Sequence, residues 1–133
     1  MLAEMPPELT IVVPAYNESA RLAKTLVTIL KYLNDQRLSS ELIVVDDGSS
    51  DDTSAVAEKS MASPGAVATR VIRYEPNRGK GFAVRTGLLA AAADIALFSD
   101  ADLSSPITET PKLVEPIRSA HAVFVRMVAS PGR

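Results

Sequence analysis

The chain has 133 residues, 47% hydrophobic and 23% charged, and contains no cysteine. This composition belongs to a soluble globular protein with one domain's core, and it excludes a disordered chain, a disulfide framework and a cysteine zinc site. The 14 Lys+Arg against 16 Asp+Glu give a formal charge of −2, which leaves no electrostatic footprint for nucleic acid, and the absence of cysteine fits a reducing, cytoplasmic home.

Residues 1–8 carry Glu4, Glu8 and two prolines where a secretory signal would have a basic region and an apolar core, so they read as a disordered lead-in. Leu9 to Val13 is a compact β-branched run ended by Pro14, the pattern of a strand buried on both faces. Leu22, Leu26, Ile29, Leu30 and Leu33 then form one apolar helical stripe, with Asn17 or Ser19 as the expected N-cap. A second strand, Leu42 to Val45, runs into Asp46-Asp47-Gly48-Ser49-Ser50, turn chemistry that also caps a helix over Asp52 to Met61.

After the breaker Ser63-Pro64-Gly65, Val67 to Tyr74 reads as a third strand. Glu75 to Gly79 is a loop, and Lys80 to Ala93 is an alanine-rich helix whose Gly81 and Gly87 permit close approach of another backbone. Ile95 to Phe98 is a fourth strand. A helix starting at Thr110-Pro111 and a fifth strand over Ala122 to Val128 complete the pattern. The longest apolar stretch, Leu88 to Ala93, stops at Asp94, far short of the ~20 residues of a transmembrane segment. Strands alternating with helices imply right-handed βαβ units, hence a three-layer α/β fold with a mainly parallel sheet between helices.

In such sheets ligands bind beyond the carboxyl ends of the strands. Each of the first four strands delivers a polar group there: Ala15-Tyr16-Asn17-Glu18, Asp46-Asp47, Asn77-Arg78-Gly79-Lys80, and Asp100 with Asp102. Carboxylates gathered so closely repel unless a cation balances them, and oxygen-only ligands suit Mg²⁺ or Mn²⁺. Asp100-Ala101-Asp102 alone is more often a solvated turn with an aspartate cap; the opposing cations reverse that reading in favour of a metal. Asn77-Arg78-Gly79-Lys80-Gly81 sits at a helix N-terminus, where the dipole and backbone N–H groups favour phosphate. It is not a P-loop, because Tyr74 and Gly81 stand where glycine and Ser/Thr belong, nor a dinucleotide fingerprint, because Val84 replaces the third glycine. Of Asp46 and Asp47, one caps the second helix and the other is available to a base or ribose. Tyr16 is either a packing aromatic or a stacking platform. His121, far from any nucleophile motif, reads as structural.

Ile11-Val12-Val13-Pro14-Ala15-Tyr16-Asn17-Glu18, Ile43 to Asp51 and Leu97-Phe98-Ser99-Asp100-Ala101-Asp102, in this order and spacing, closely resemble the family 2 glycosyltransferases of GT-A fold. Asn77 to Gly81 followed by Ala83 to Gly87, with Asp100 to Ser104 before Pro106, is similar to the subgroup that glycosylates dolichyl or polyprenyl phosphate, in particular its β-glucosyltransferases. The resemblance implies a nucleotide-sugar donor, UDP-glucose favoured, flanked by Pro14, Ala15, Tyr16 and Glu18. It implies uracil or ribose held at Asp46, with Asp47 beside it, and the base and diphosphate near Arg78 and Lys80. Asp100 would contact ribose and act on the metal indirectly, and Asp102 would ligate Mg²⁺ or Mn²⁺ directly. Transfer would invert the anomeric centre, and the acceptor would be a polyprenyl phosphate at a membrane surface.

The resemblance runs over residues 9–120. Residues 121–133 match nothing in the family's Gly-Ser-Arg continuation or its long acceptor-side region, so the expectation is a chain truncated after its donor-binding half. Two other readings compete: a fragment that binds nucleotide-sugar without transferring, and a receiver-type phosphoacceptor domain. The last needs an acidic pair after the first strand, where this chain has Pro14-Ala15-Tyr16.

Overall fold

The computed structural model describes residues 6–36 and 38–101. The order is β1 (Leu9–Ala15), α1 (Leu22–Asp35), β2 (Ser40–Asp47), α2 (Thr53–Ser60), β3 (Ala68–Tyr74), α3 (Lys80–Ala90) and β4 (Ile95–Phe98). The strands form one sheet in the order β3-β2-β1-β4, and every pairing is parallel. All residues of β1 and β2 are buried, as apolar runs between two helix layers require. Alternation along the strands divides the core. Ile11, Val13, Leu42 and Val44 face α1 and α2, whose Leu22, Leu26, Ile29 and Ala57 complete that cluster, while Val12, Ile43 and Val45 face α3 at Ala83. The α/β three-layer expectation holds.

The chain steps outward from β1 to β3 and then returns to place β4 beside β1. That reversal opens a crevice over the carboxyl ends of β1 and β4, the position where open α/β sheets bind ligands. The order also differs from the 2-1-3-4-5 arrangement of receiver-type domains, which removes that reading.

Several boundaries move for identifiable reasons. β1 continues through Pro14 to Ala15 instead of stopping at the proline. The Val12 carbonyl accepts a bond from Ser99 N, so even-numbered β1 residues face β4, and Pro14, which has no N–H, points past the last β4 residue. The third helix ends at Ala90, not Ala93. Its successors Ala92 and Ala93 donate their N–H groups to the Glu41 carboxylate and the Thr10 hydroxyl at the opposite end of the sheet. Gly87 is the close approach expected, since a Cβ there would lie 2.3 Å from a Val12 methyl, whereas Gly81 borders open space. The expected helix at Thr110 and strand over Ala122 to Val128 lie outside the described residues, as does Asp102. Among the described residues no helix is long and apolar enough to cross a membrane.

Candidate nucleotide-binding cleft

The adjacent aspartates of β2 point to opposite faces because strand side chains alternate, and each organises a different loop. Asp46, fully buried, faces the α2 side. Its Oδ1 accepts the Ser49 backbone N–H at 2.9 Å; its Oδ2 accepts the Ser54 hydroxyl at 2.5 Å and the Arg73 guanidinium at 2.9 Å. Burial acts to raise its pKa, but the bonds from Ser49 and Ser54 and the Arg73 charge outweigh it and hold the carboxyl below its ordinary value.

Asp47 faces the α3 side and gathers the loop that leads into that helix. Its Oδ1 accepts the Tyr74 hydroxyl and, at 2.9 Å, the Arg78 backbone N–H; its Oδ2 accepts the Asn77 amide at 2.7 Å and the Gly79 backbone N–H at 3.0 Å. A carboxylate at this end of α3 also suits the helix dipole. Burial and donation to Asp47 push the Tyr74 hydroxyl well above its ordinary pKa, so it stays a donor. Gly48 makes the approach possible. At φ +76° it adopts the left-handed region, and a Cβ there would meet Asn77 N at 2.6 Å and Pro76 C at 2.8 Å.

The loop after β1 is pinned to the loop after β2. Asn17 N, Glu18 N and Ser19 N donate to the Ser49 hydroxyl at 2.8 Å, the Thr53 hydroxyl at 3.0 Å and the Asp51 carboxylate at 3.3 Å. The Asn17 side chain accepts the Ser50 N–H at 2.9 Å in return. Asn17 and Ser19 therefore do not cap α1 as expected; the N-cap position is Arg21, and it makes no side-chain cap bond. The side-chain bond from Thr53, with that from Ser19 added, holds the Asp51 carboxyl below its ordinary value.

These supports frame a cleft of about 430 Å³. Pro14, Ala15, Tyr16, Glu18, Asp47, Lys80 and Asp100 line it, joined by Asn77, Gly79, Ala83 and Ala101. Tyr16 is 47% exposed, available as a platform and not part of the core. Lys80, the first residue of α3, pairs with Asp100 just past β4, and its ammonium lies 5.5 Å from the Phe98 ring centre. Two expected contacts lie outside the cleft lining. Asp46 is fully buried with its oxygens bonded to Ser49, Ser54 and Arg73, where it fixes the α2 loop. Arg78 is outside the lining and stacks over Phe82, 5.2 Å from the ring centre. Asp102 falls outside the described residues.

Sequence reading missed the supports Arg73, Tyr74, Thr53 and Ser54. For Arg73 and Tyr74 the signal is the strand register, which sets Asp46 beside Arg73 and Asp47 beside Tyr74. For a divalent cation, the cleft offers oxygen donors alone. No group of three acidic or histidine ligands occurs among the described residues. The donor chemistry at Asp100 nevertheless fits Mg²⁺ or Mn²⁺, hard ions that keep waters and complete their shell with substrate phosphate.

Comparison with known proteins agrees with this geometry. The mannosyltransferase of Pyrobaculum calidifontis, solved in complex with GDP-Man and Mn²⁺, superposes with a TM-score of 0.68 at 26% identity, over 96% of this chain and 34% of that one. Glucosyl-3-phosphoglycerate synthase from Mycobacterium tuberculosis, solved with Mn²⁺, UDP and glucosyl-3-phosphoglycerate, gives 0.64 at 33% identity, over 84% of this chain and 39% of that one. Dolichyl-phosphate beta-glucosyltransferase from Homo sapiens is 40% identical over 111 residues, 80% of this chain and 34% of the relative. The Saccharomyces cerevisiae protein of the same name is 35% identical over 113 residues, 82% of this chain and 34% of the relative. The chain thus spans about a third of the length of the relatives it matches. The family model described as Glycosyl transferase family 2 matches residues 10–132, so a sheet with its reversal at β1 and β4, loops braced by two buried aspartates and this match together make the chain a member of glycosyl transferase family 2.

Proposed function

We propose that the chain binds the nucleoside diphosphate of a nucleotide-sugar, UDP-glucose by preference, together with Mg²⁺ or Mn²⁺, and that it carries out the donor side of hexose transfer to a polyprenyl phosphate. The carrying observation is the cleft at the β1–β4 reversal, where Lys80 at the start of α3 stands across from Asp100. The human and yeast relatives, both dolichyl-phosphate beta-glucosyltransferases by name, supply the acceptor class and the sugar; the UDP complex of the mycobacterial neighbour supplies the nucleotide.

In this reading the uracil lies on Tyr16, between Pro14-Ala15 and Glu18. Asp47 acts by holding Asn77 to Gly79 rigid, which presents the first turn of α3 to the diphosphate. Helix dipole and Lys80 then favour the negative charge that grows on the leaving nucleoside diphosphate. Asp100 and Asp102 would hold the divalent cation, which when bound supplies Lewis-acid stabilisation of that same charge. An acceptor phosphate is already an anionic nucleophile, so attack at the sugar C1 with inversion needs no strong base. Such an acceptor would place the protein at the surface of a membrane, on its cytoplasmic side.

Titration calorimetry with UDP-glucose and GDP-mannose, with and without Mn²⁺, tests the donor site, and a product assay with polyprenyl phosphate tests transfer. Metal-dependent preference for UDP-glucose is expected. Binding without product would reduce the chain to a nucleotide-sugar-binding module, the second reading, which draws on the cleft lining lying, among the described residues, at the strand ends and the start of α3. No metal-dependent nucleotide binding would remove both. Asp102→Asn is expected to abolish metal-dependent donor binding, because an amide is a poorer ligand for a hard cation and one charge fewer.

A further inference from the structure

We infer that Lys80 is the resident counter-ion of Asp100, and that a divalent cation and the Lys80 ammonium compete for this carboxylate, so that loading the cation frees Lys80 for the donor's diphosphate. The inference rests on the donor-site reading above and adds an order of events to it. Three observations place Lys80 between two roles. Its ammonium is ion-paired to Asp100 and sits over the Phe98 face, both at the end of β4. Its backbone opens α3, at the helix end that attracts phosphate. Its side chain is 58% exposed, so it can swing from one partner to the other without disturbing the core.

The consequence is a coupling between two ligands. Before any ligand binds, the pair keeps the acidic end of β4 neutralised. A cation that takes Asp100 must displace the ammonium, and the displaced ammonium gains value only when phosphate is present. Cation and nucleoside diphosphate therefore strengthen one another by more than their direct contact, and linkage makes the gain reciprocal. A half-exposed pair of this kind is weak, so the competition is worth a factor of about two to five in cation affinity.

The test measures Mn²⁺ binding to the 133-residue chain by the loss of the free-ion electron paramagnetic resonance signal, and UDP binding by calorimetry, with thermal unfolding as the folding control. Lys80→Met is expected to bind Mn²⁺ alone about threefold more tightly, yet to bind UDP in saturating Mn²⁺ about tenfold more weakly, with a smaller gain from adding the metal. Lys80→Arg is expected to restore both affinities. Arg78→Gln removes an equal charge two residues before Lys80 without touching Asp100, and should leave Mn²⁺ affinity within twofold of wild type. Unchanged or weaker Mn²⁺ binding by Lys80→Met overturns the inference, as does an equal gain in Arg78→Gln, which would reduce the effect to net charge. If the wild-type chain binds no UDP with Mn²⁺, the donor-site reading itself falls and takes this inference with it; if it does bind and only the Lys80 pattern fails, the donor site stands alone.

Discussion

Removing the Asp47 carboxylate should damage stability and ligand binding together, because one buried side chain holds the whole approach to α3. Asp47→Ala strips an acceptor from four donors: Tyr74 hydroxyl, Asn77 amide, and the backbone N–H groups of Arg78 and Gly79. Of the two side-chain donors, the Asn77 amide sits on an exposed loop and can turn to water, while the half-buried Tyr74 hydroxyl at the end of β3 is less free to do so. The two backbone donors cannot, unless the loop itself moves. Stranding such groups costs about 1–3 kcal/mol each, offset in part by no longer burying a charge that is only 3% exposed, so a net loss of about 3 kcal/mol is expected. Asp47→Asn keeps one acceptor oxygen. Its amide can satisfy Tyr74 by reversing that bond but leaves one backbone N–H unpaired, for about half the loss. Urea unfolding reads the stability, and calorimetry with UDP and Mn²⁺ reads the site, where the released loop should weaken binding at least tenfold. An Asp47→Ala variant within about 0.5 kcal/mol of wild type and with unchanged UDP affinity would refute the anchoring argument.

Gly48→Ala is expected to cost at least about 2 kcal/mol and to lower UDP affinity, since its Cβ would drive into the backbone of Pro76 and Asn77 at a left-handed φ; urea unfolding with the same binding assay checks both. Gly87→Ala should destabilise by about 1–3 kcal/mol while leaving UDP affinity intact, because the clash is with Val12 and Val45 beneath the helix and not at the cleft. Asp46 gives a pH signature. Its folded-state pKa lies below the unfolded value of about 3.9, so its stabilisation is full above that value and is lost as pH falls through the lower, folded value. The stability gap between wild type and Asp46→Asn should therefore be constant from pH 5 to 7 and shrink below about pH 4, and a gap that widens in acid would contradict the sign.

How much of this was legible in the sequence follows from which interactions are periodic and which are not. The strands over Leu9 to Val13 and Leu42 to Val45 and the stripe from Leu22 to Leu33 are repeated apolar signals, and each became a buried element with the faces expected of it. The helix end at Ala90 was hidden, because the groups that capture Ala92 and Ala93 are Glu41 and Thr10, 51 and 83 residues away in the chain. The same difference separates the two aspartates. Sequence reading had one of the pair cap α2 and left the other to a ligand, but the N-cap position of α2 is Asp52, with no side-chain cap bond; alternation along β2 sends the two aspartates to opposite faces, and parallel register supplies each with its own partner from β3. Asp46 is thereby drawn into a network with Arg73, Ser49 and Ser54, and Asp47 into one with Tyr74 and Asn77. Both carboxylates are engaged, and the β2 end fixes the position of the α2 and α3 loops. Among the charged residues that line the cleft, Lys80 and Asp100 face each other across the reversal of the sheet. Chain order kept these two residues 20 apart, and only the return of β4 to β1 turns their separate turn chemistries into one site.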